Sequence, residues 1–212
     1  MSTSISGTSG VTFPAGGVGN PAGAVVGTTD TQTLTNKTLT SPTMTGAVVS
    51  SMASSVLTSG TAVATTSGTS IDFTALPSWI KRITVMFSGV STSGTSTYML
   101  QLGTGSTTFT TTGYNAGVVS TAGAGLATTA TTTGLPVYPS GQASDAIYGA
   151  VVITNITGNT WVLHGVVNSP GTTRSGIPAG QIALAAQLTA VRLTTVNGTD
   201  TFDAGSINIL YE

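Results

Sequence analysis

Residues Gln32 to Gly46 read QTLTN, KTLTS and PTMTG, a five-residue unit written three times in succession. Each unit places Thr on both sides of one apolar residue (Leu34, Leu39, Met44) and closes on a turn-prone residue (Asn36, Ser41, Gly46). This spacing fits neither the 3.6-residue period of a helix nor the two-residue period of a plain strand. It predicts short extended pieces with a slight turn after each, which bring the three apolar side chains to one side. So thin a segment has nothing of its own to bury them against. The repeat therefore predicts a homo-oligomeric fibre.

Composition points the same way. Charged residues are 5% of the 212-residue chain, against about 25% in an average soluble domain. Disorder usually comes with high net charge and low hydrophobicity; here the net charge is −1 and the hydrophobic fraction 39%. Identical chains around a symmetry axis bring each side chain near its own copies, and like charges there repel by roughly 1 kcal/mol even in water. Threonine avoids that penalty, suits a pleated surface and carries a hydroxyl that finds backbone or Thr partners.

Several classes are set aside. Five Lys and Arg against six Asp and Glu form no phosphate-tracking patch, so no nucleic-acid partner is expected. No run approaches the length of a spanning helix, so no membrane insertion is expected. With no Cys there are no disulfides or thiolate metal sites. The start MSTSISGTSG carries no secretory pattern; an extracellular protein of this kind would leave the cell another way, for instance as part of a particle released by lysis.

Two parts are expected: an extended fibrous segment over 1–58 and a β-sandwich or jelly-roll-like domain over 59–212. Within the second, IKRITVMFSGV (80–90) alternates, with Lys81, Ile83, Val85 and Phe87 on one face, and with STYMLQLG (96–103) it predicts a hairpin. Residues 104–144 read as loop-rich. AIYGAVVITNITG (146–158) and TWVLHGVVNS (160–169) read as strands around a Gly158-Asn159 turn. Residues 169–180 read as a loop, 181–196 as one or two strands, and GSINILYE (205–212) as a last strand. The pattern is all-β.

TDTQTLTNKTLTSPT (29–43) resembles a segment that recurs in tail-fibre and other virion appendage proteins of tailed bacteriophages. SIDFTALPSWIKRITVMFSGVSTSG (70–94) and DTFDAGSINILYE (200–212) resemble the β-rich C-terminal domains of such fibres. The resemblance implies a homotrimeric virion fibre, tail or head type. Residues 1–46 would attach to other virion proteins, Leu34, Leu39 and Met44 of three chains would stack at the axis, and the C-terminal domain would be exposed to a host-surface glycan or protein. A capsid decoration (cement) protein without a receptor is the alternative, and a tailspike-like glycan depolymerase a more distant one.

No residue pattern predicts catalysis, a metal or a cofactor. Ser78 and Lys81 match S-x-x-K without the accompanying motifs of penicillin-recognising enzymes. His164 has no partners nearby in sequence and reads as a packed or edge histidine. Asp200 and Asp203 read as turn acids, and Asp72 and Asp145 as isolated ones. Trp79 reads as packing at a strand start. The best receptor-contact candidates are Phe109, Tyr114 and Tyr138, aromatics of the loop-rich middle, and Arg174 of the 169–180 loop. The competing reading of the aromatics is that they fill the core.

Overall fold

A computed structural model describes residues 57–122 and 125–212. The pentads, with Leu34, Leu39 and Met44, lie outside the described residues. The strands are β1 (Thr58–Ser59), β2 (Val63–Ala64), β3 (Ser70–Phe73), β4 (Arg82–Thr92), β5 (Tyr98–Gly103), β6 (Asn115–Ala122), β7 (Gly125–Thr131), β8 (Leu135–Tyr138), β9 (Ile147–Thr157), β10 (Thr160–Ser169), β11 (Arg174–Ala183), β12 (Ala190–Thr195) and β13 (Phe202–Tyr211). A 3-10 turn at Pro170–Thr172 is the one helical element among the described residues.

All pairings are antiparallel. The larger sheet has nine strands in the order β1-β13-β4-β9-β10-β11-β6-β7, with β2 also on β13; the smaller runs β3-β12-β5-β8. One core joins them in a sandwich-like arrangement. Ile83, Val85, Val151, Ile153 and Leu163 of the large sheet and Leu100, Leu102, Leu135 and Leu193 of the small one belong to the same buried cluster. Alternation explains β4: Ile83, Val85 and Phe87 point inward, while Arg82 is exposed and Thr84 and Met86 half-buried. Burying each such apolar side chain contributes roughly 1.5–3 kcal/mol.

The Gly158-Asn159 turn joins β9 to β10 as expected, with Gly158 at φ 50°. Trp79 packs on Tyr211, ring centroids 5.9 Å apart.

Three expectations are corrected. β4 and β5 form no hairpin, because the chain crosses from one sheet to the other between them; β5 is buried along its whole length and pairs with β12 and β8. The segment 104–144 holds three strands, β6, β7 and β8, rather than loops. Most of the presumed loop 169–180 is β11, lying between β10 and β6. Its Pro178 has no N–H to give, and the β10–β11 pairing is interrupted between His164–Ala179 and Val167–Gly176.

Two glycines set the bend shared by β4 and β13. The β4–β9 register slips between Ser88 and Val90, and the β13–β4 register between Ala204 and Ser206. Gly89 (φ 67°) and Gly205 (φ 89°) occupy these bulges. A Cβ on Gly205 would lie 2.2 Å from the Gly89 carbonyl oxygen.

Candidate functional site

The small sheet turns one face to the core and the other outward. On the outward face, register sets Arg192 of β12 beside Asp72 of β3 and Gln101 of β5. Arg192 Nε donates to Asp72 Oδ1 at 2.7 Å and Nη2 to Oδ2 at 2.8 Å, a two-pronged pair. The Asp72 hydrogen bonds raise the guanidinium pKa further above its ordinary value. The guanidinium carbon also lies 4.0 Å from the centroid of the Phe109 ring. Gln101 Nε2 donates to the Thr133 carbonyl at 2.9 Å, and the Thr194 hydroxyl to that of Thr69 at 2.9 Å.

Two clefts open beside this row. One, of about 340 Å³, is lined by Arg192, Gln101, Ser70, Thr111, Thr133 and Val196 among others. The next, of about 410 Å³, is lined by Tyr114, Asn115, Thr97, the Thr129–Thr133 stretch and Val196. Thr133 and Val196 line both, so the two clefts adjoin at these residues. Their lining is hydroxyls, amides and methyl groups, and their single cation is already paired.

The receptor-contact candidates separate. Phe109 is half-buried beneath Arg192. Tyr114 is 2% exposed, and its hydroxyl accepts the Leu102 N–H at 2.8 Å. Burial pushes its phenol up to about 12. Tyr138 is fully buried, its ring 6.2 Å from that of Tyr98. Tyr114, just ahead of β6, and Tyr138, at the end of β8, are thus core residues rather than receptor contacts. Arg174 opens β11 rather than riding a loop; Nη1 donates to the Pro139 carbonyl at 3.1 Å, and Nε is buried without a partner. Tyr138 and Arg174 therefore lie by the 139–145 loop, away from these clefts.

Asp145, read from sequence as isolated, is fully buried and heavily bonded. It accepts from Gly141 N–H at 2.9 Å, Gln142 N–H at 3.3 Å, the Thr172 hydroxyl at 2.6 Å and the Ser169 hydroxyl at 3.3 Å. Burial disfavours its charge, but these hydrogen bonds outweigh that penalty and hold the carboxyl below its ordinary range. The group locks the 139–145 loop to the 170–172 turn.

The remaining acids and bases are structural. Asp200 accepts the Ser96 N–H at 2.9 Å as a turn acid, and Asp203 accepts from the Ser91 hydroxyl. His164 stands exposed on β10 between β9 and β11, so it is neither packed nor at an edge. Ser78 and Lys81 lie ahead of β4 with no helix under them, and Lys81 Nζ reaches Asn155 Oδ1 at 3.4 Å. Among the described residues no cluster of His, Asp or Glu is arranged to hold a metal, and no helix is long and apolar enough to cross a membrane.

Sequence reading missed the Asp72–Arg192–Gln101 row. The available signal was an acid in SIDF and a base in AVRLTT, each flanked by inward apolar residues. Compared with known proteins, the chain matches no family model, no curated protein and no solved structure.

Proposed function

We propose that the chain is a structural protein of a tailed-bacteriophage virion: a homotrimeric fibre of tail or head type. In this reading residues 1–46 join it to other virion proteins, and residues 59–212 form the exposed adhesive domain. It is assembled in the bacterial cytoplasm and works at the particle surface, with no covalent chemistry.

The observation that carries this reading is the outer face of the nine-stranded sheet. Tyr148 of β9, Val166 of β10 and Ile177 of β11 are 46%, 56% and 49% exposed there. Register sets Ala150 beside both Val166 and Met86, and Val119 beside Ile177. The outward positions of β9, β10 and β11 carry no carboxylate, Lys or Arg. His164 and Asn168 share this face with Val166 and Tyr148, and a face with so much apolar surface and no carboxylate, Lys or Arg suits contact with copies of itself. It agrees with the pentads, which also call for copies.

Immunogold labelling of intact particles tests the assignment. Label fixed to head or tail supports it; particles free of label, with the protein soluble in the lysate, contradict it.

A further inference from the structure

We propose that the two adjoining clefts, one on the outer face of the small sheet and the other against β6 and β7 of the large sheet, bind a neutral, polyhydroxylated ligand, an oligosaccharide strand of several sugars. The proposal deepens the adhesive half of the reading above by giving the domain a ligand class and a place.

Both clefts, about 340 and 410 Å³, fall within the size range of small-molecule sites. They adjoin at Thr133 and Val196, so an occupant of both is a chain of linked units. The chemistry of the walls selects the ligand. Thr hydroxyls both donate and accept, and the exposed Asn115 presents an amide that does the same, while the buried Gln101 keeps its Nε2 on the Thr133 carbonyl. Threonine methyls and Val196 offer small apolar surfaces to the C–H faces of a sugar ring.

Charge selects against other ligands. The Arg192 guanidinium spends Nε and Nη2 on Asp72. Nη1 remains to donate to a neutral oxygen, while an acidic ligand meets the Asp72 carboxylate beside it. A cationic ligand finds no free acid, because Asp200 near Asn197 is engaged by Ser96 and Asn197.

The test titrates the full-length protein with neutral hexasaccharides of glucose, mannose and N-acetylglucosamine, and with uronate and sialylated oligosaccharides, by calorimetry and saturation-transfer NMR. The expected result is saturable binding of at least one neutral hexasaccharide. Val196→Trp, on a residue 44% exposed, crowds the place where the clefts adjoin and should weaken that binding at least tenfold with an unchanged melting temperature. Thr133→Trp, at the other residue shared by the clefts, should do the same, and Asn115→Ala should weaken binding severalfold. No neutral ligand bound, a preference for the acidic series, or wild-type binding by well-folded Val196→Trp would overturn the proposal. Such a failure leaves the virion assignment standing, because particle labelling does not depend on the clefts.

Discussion

The Thr172 hydroxyl donates to the buried Asp145 carboxylate at 2.6 Å, across 27 residues of sequence. Together with Ser169, Gly141 and Gln142 it makes the ionised acid the favoured form in the fold. A carboxyl whose folded pKa is depressed adds stability that is present above its unfolded value, near 3.9. That stability is lost as pH falls through the folded value. Thermal melting followed from pH 7 down to pH 2 should show an acid-side loss that Asp145→Asn reduces. Asp145→Ala leaves buried donors unpaired and should cost roughly 3 kcal/mol at pH 7 in denaturant unfolding.

Tyr98 and Tyr114 predict the alkaline limit. Burial pushes both phenols up to about 12 from an ordinary 10.0. The neutral form is favoured in the fold, so their contribution is complete below pH 10 and is lost as pH rises toward 12. Absorbance titration at 295 nm should show these two phenols ionising only well above pH 10, close to unfolding. Two phenols titrating normally in Tyr148→Phe/Tyr138→Phe/Tyr211→Phe protein that remains folded would contradict their burial.

Gly205→Ala should cost about 3 kcal/mol, from a left-handed φ together with the close approach to the Gly89 carbonyl. Gly158→Ala is the control: its φ is 50° but nothing lies within 4 Å of an added Cβ. It should cost only about 1 kcal/mol. Equal losses in urea unfolding would mean that the bulge contact carries no weight.

The outer sheet face makes a separate prediction. Ile177→Asp changes a residue 49% exposed in a single copy, so folding of that copy should be nearly unaffected. Within a self-associated assembly it brings like charges together and should weaken association at least tenfold. Sedimentation at several concentrations, beside circular dichroism, separates the two effects.

Local pattern made β4, the β9–β10 hairpin and the last strand legible, because alternation and a Gly158-Asn159 turn are written in adjacent residues. The partner of a strand is not written there. The step from β4 to β5 passes through SGTST, which looks like a hairpin turn yet carries the chain between sheets. β5 hides its two-sided burial, since YMLQLG is covered on both faces and so need not alternate. β11 hides behind Gly176, Pro178 and Gly180, turn residues here tolerated within the sheet. Among site residues, Asp145 looked isolated because two of the hydroxyls that bind it lie 24 and 27 residues away, and the nearer donors of 140–142 are ordinary loop residues. Tyr114 and Tyr138 looked available because they sit in a Thr- and Gly-rich stretch.

The central claim is threefold self-association, and the mass of the full-length protein in solution tests it most directly. Sedimentation equilibrium should give three times the 20.9 kDa chain mass, and Leu39→Asp, which sets three like charges by the stalk axis, should abolish the full-length trimer while residues 59–212 retain their circular dichroism. A 20.9 kDa species at every concentration, or a trimer that Leu39→Asp leaves intact, would contradict the account.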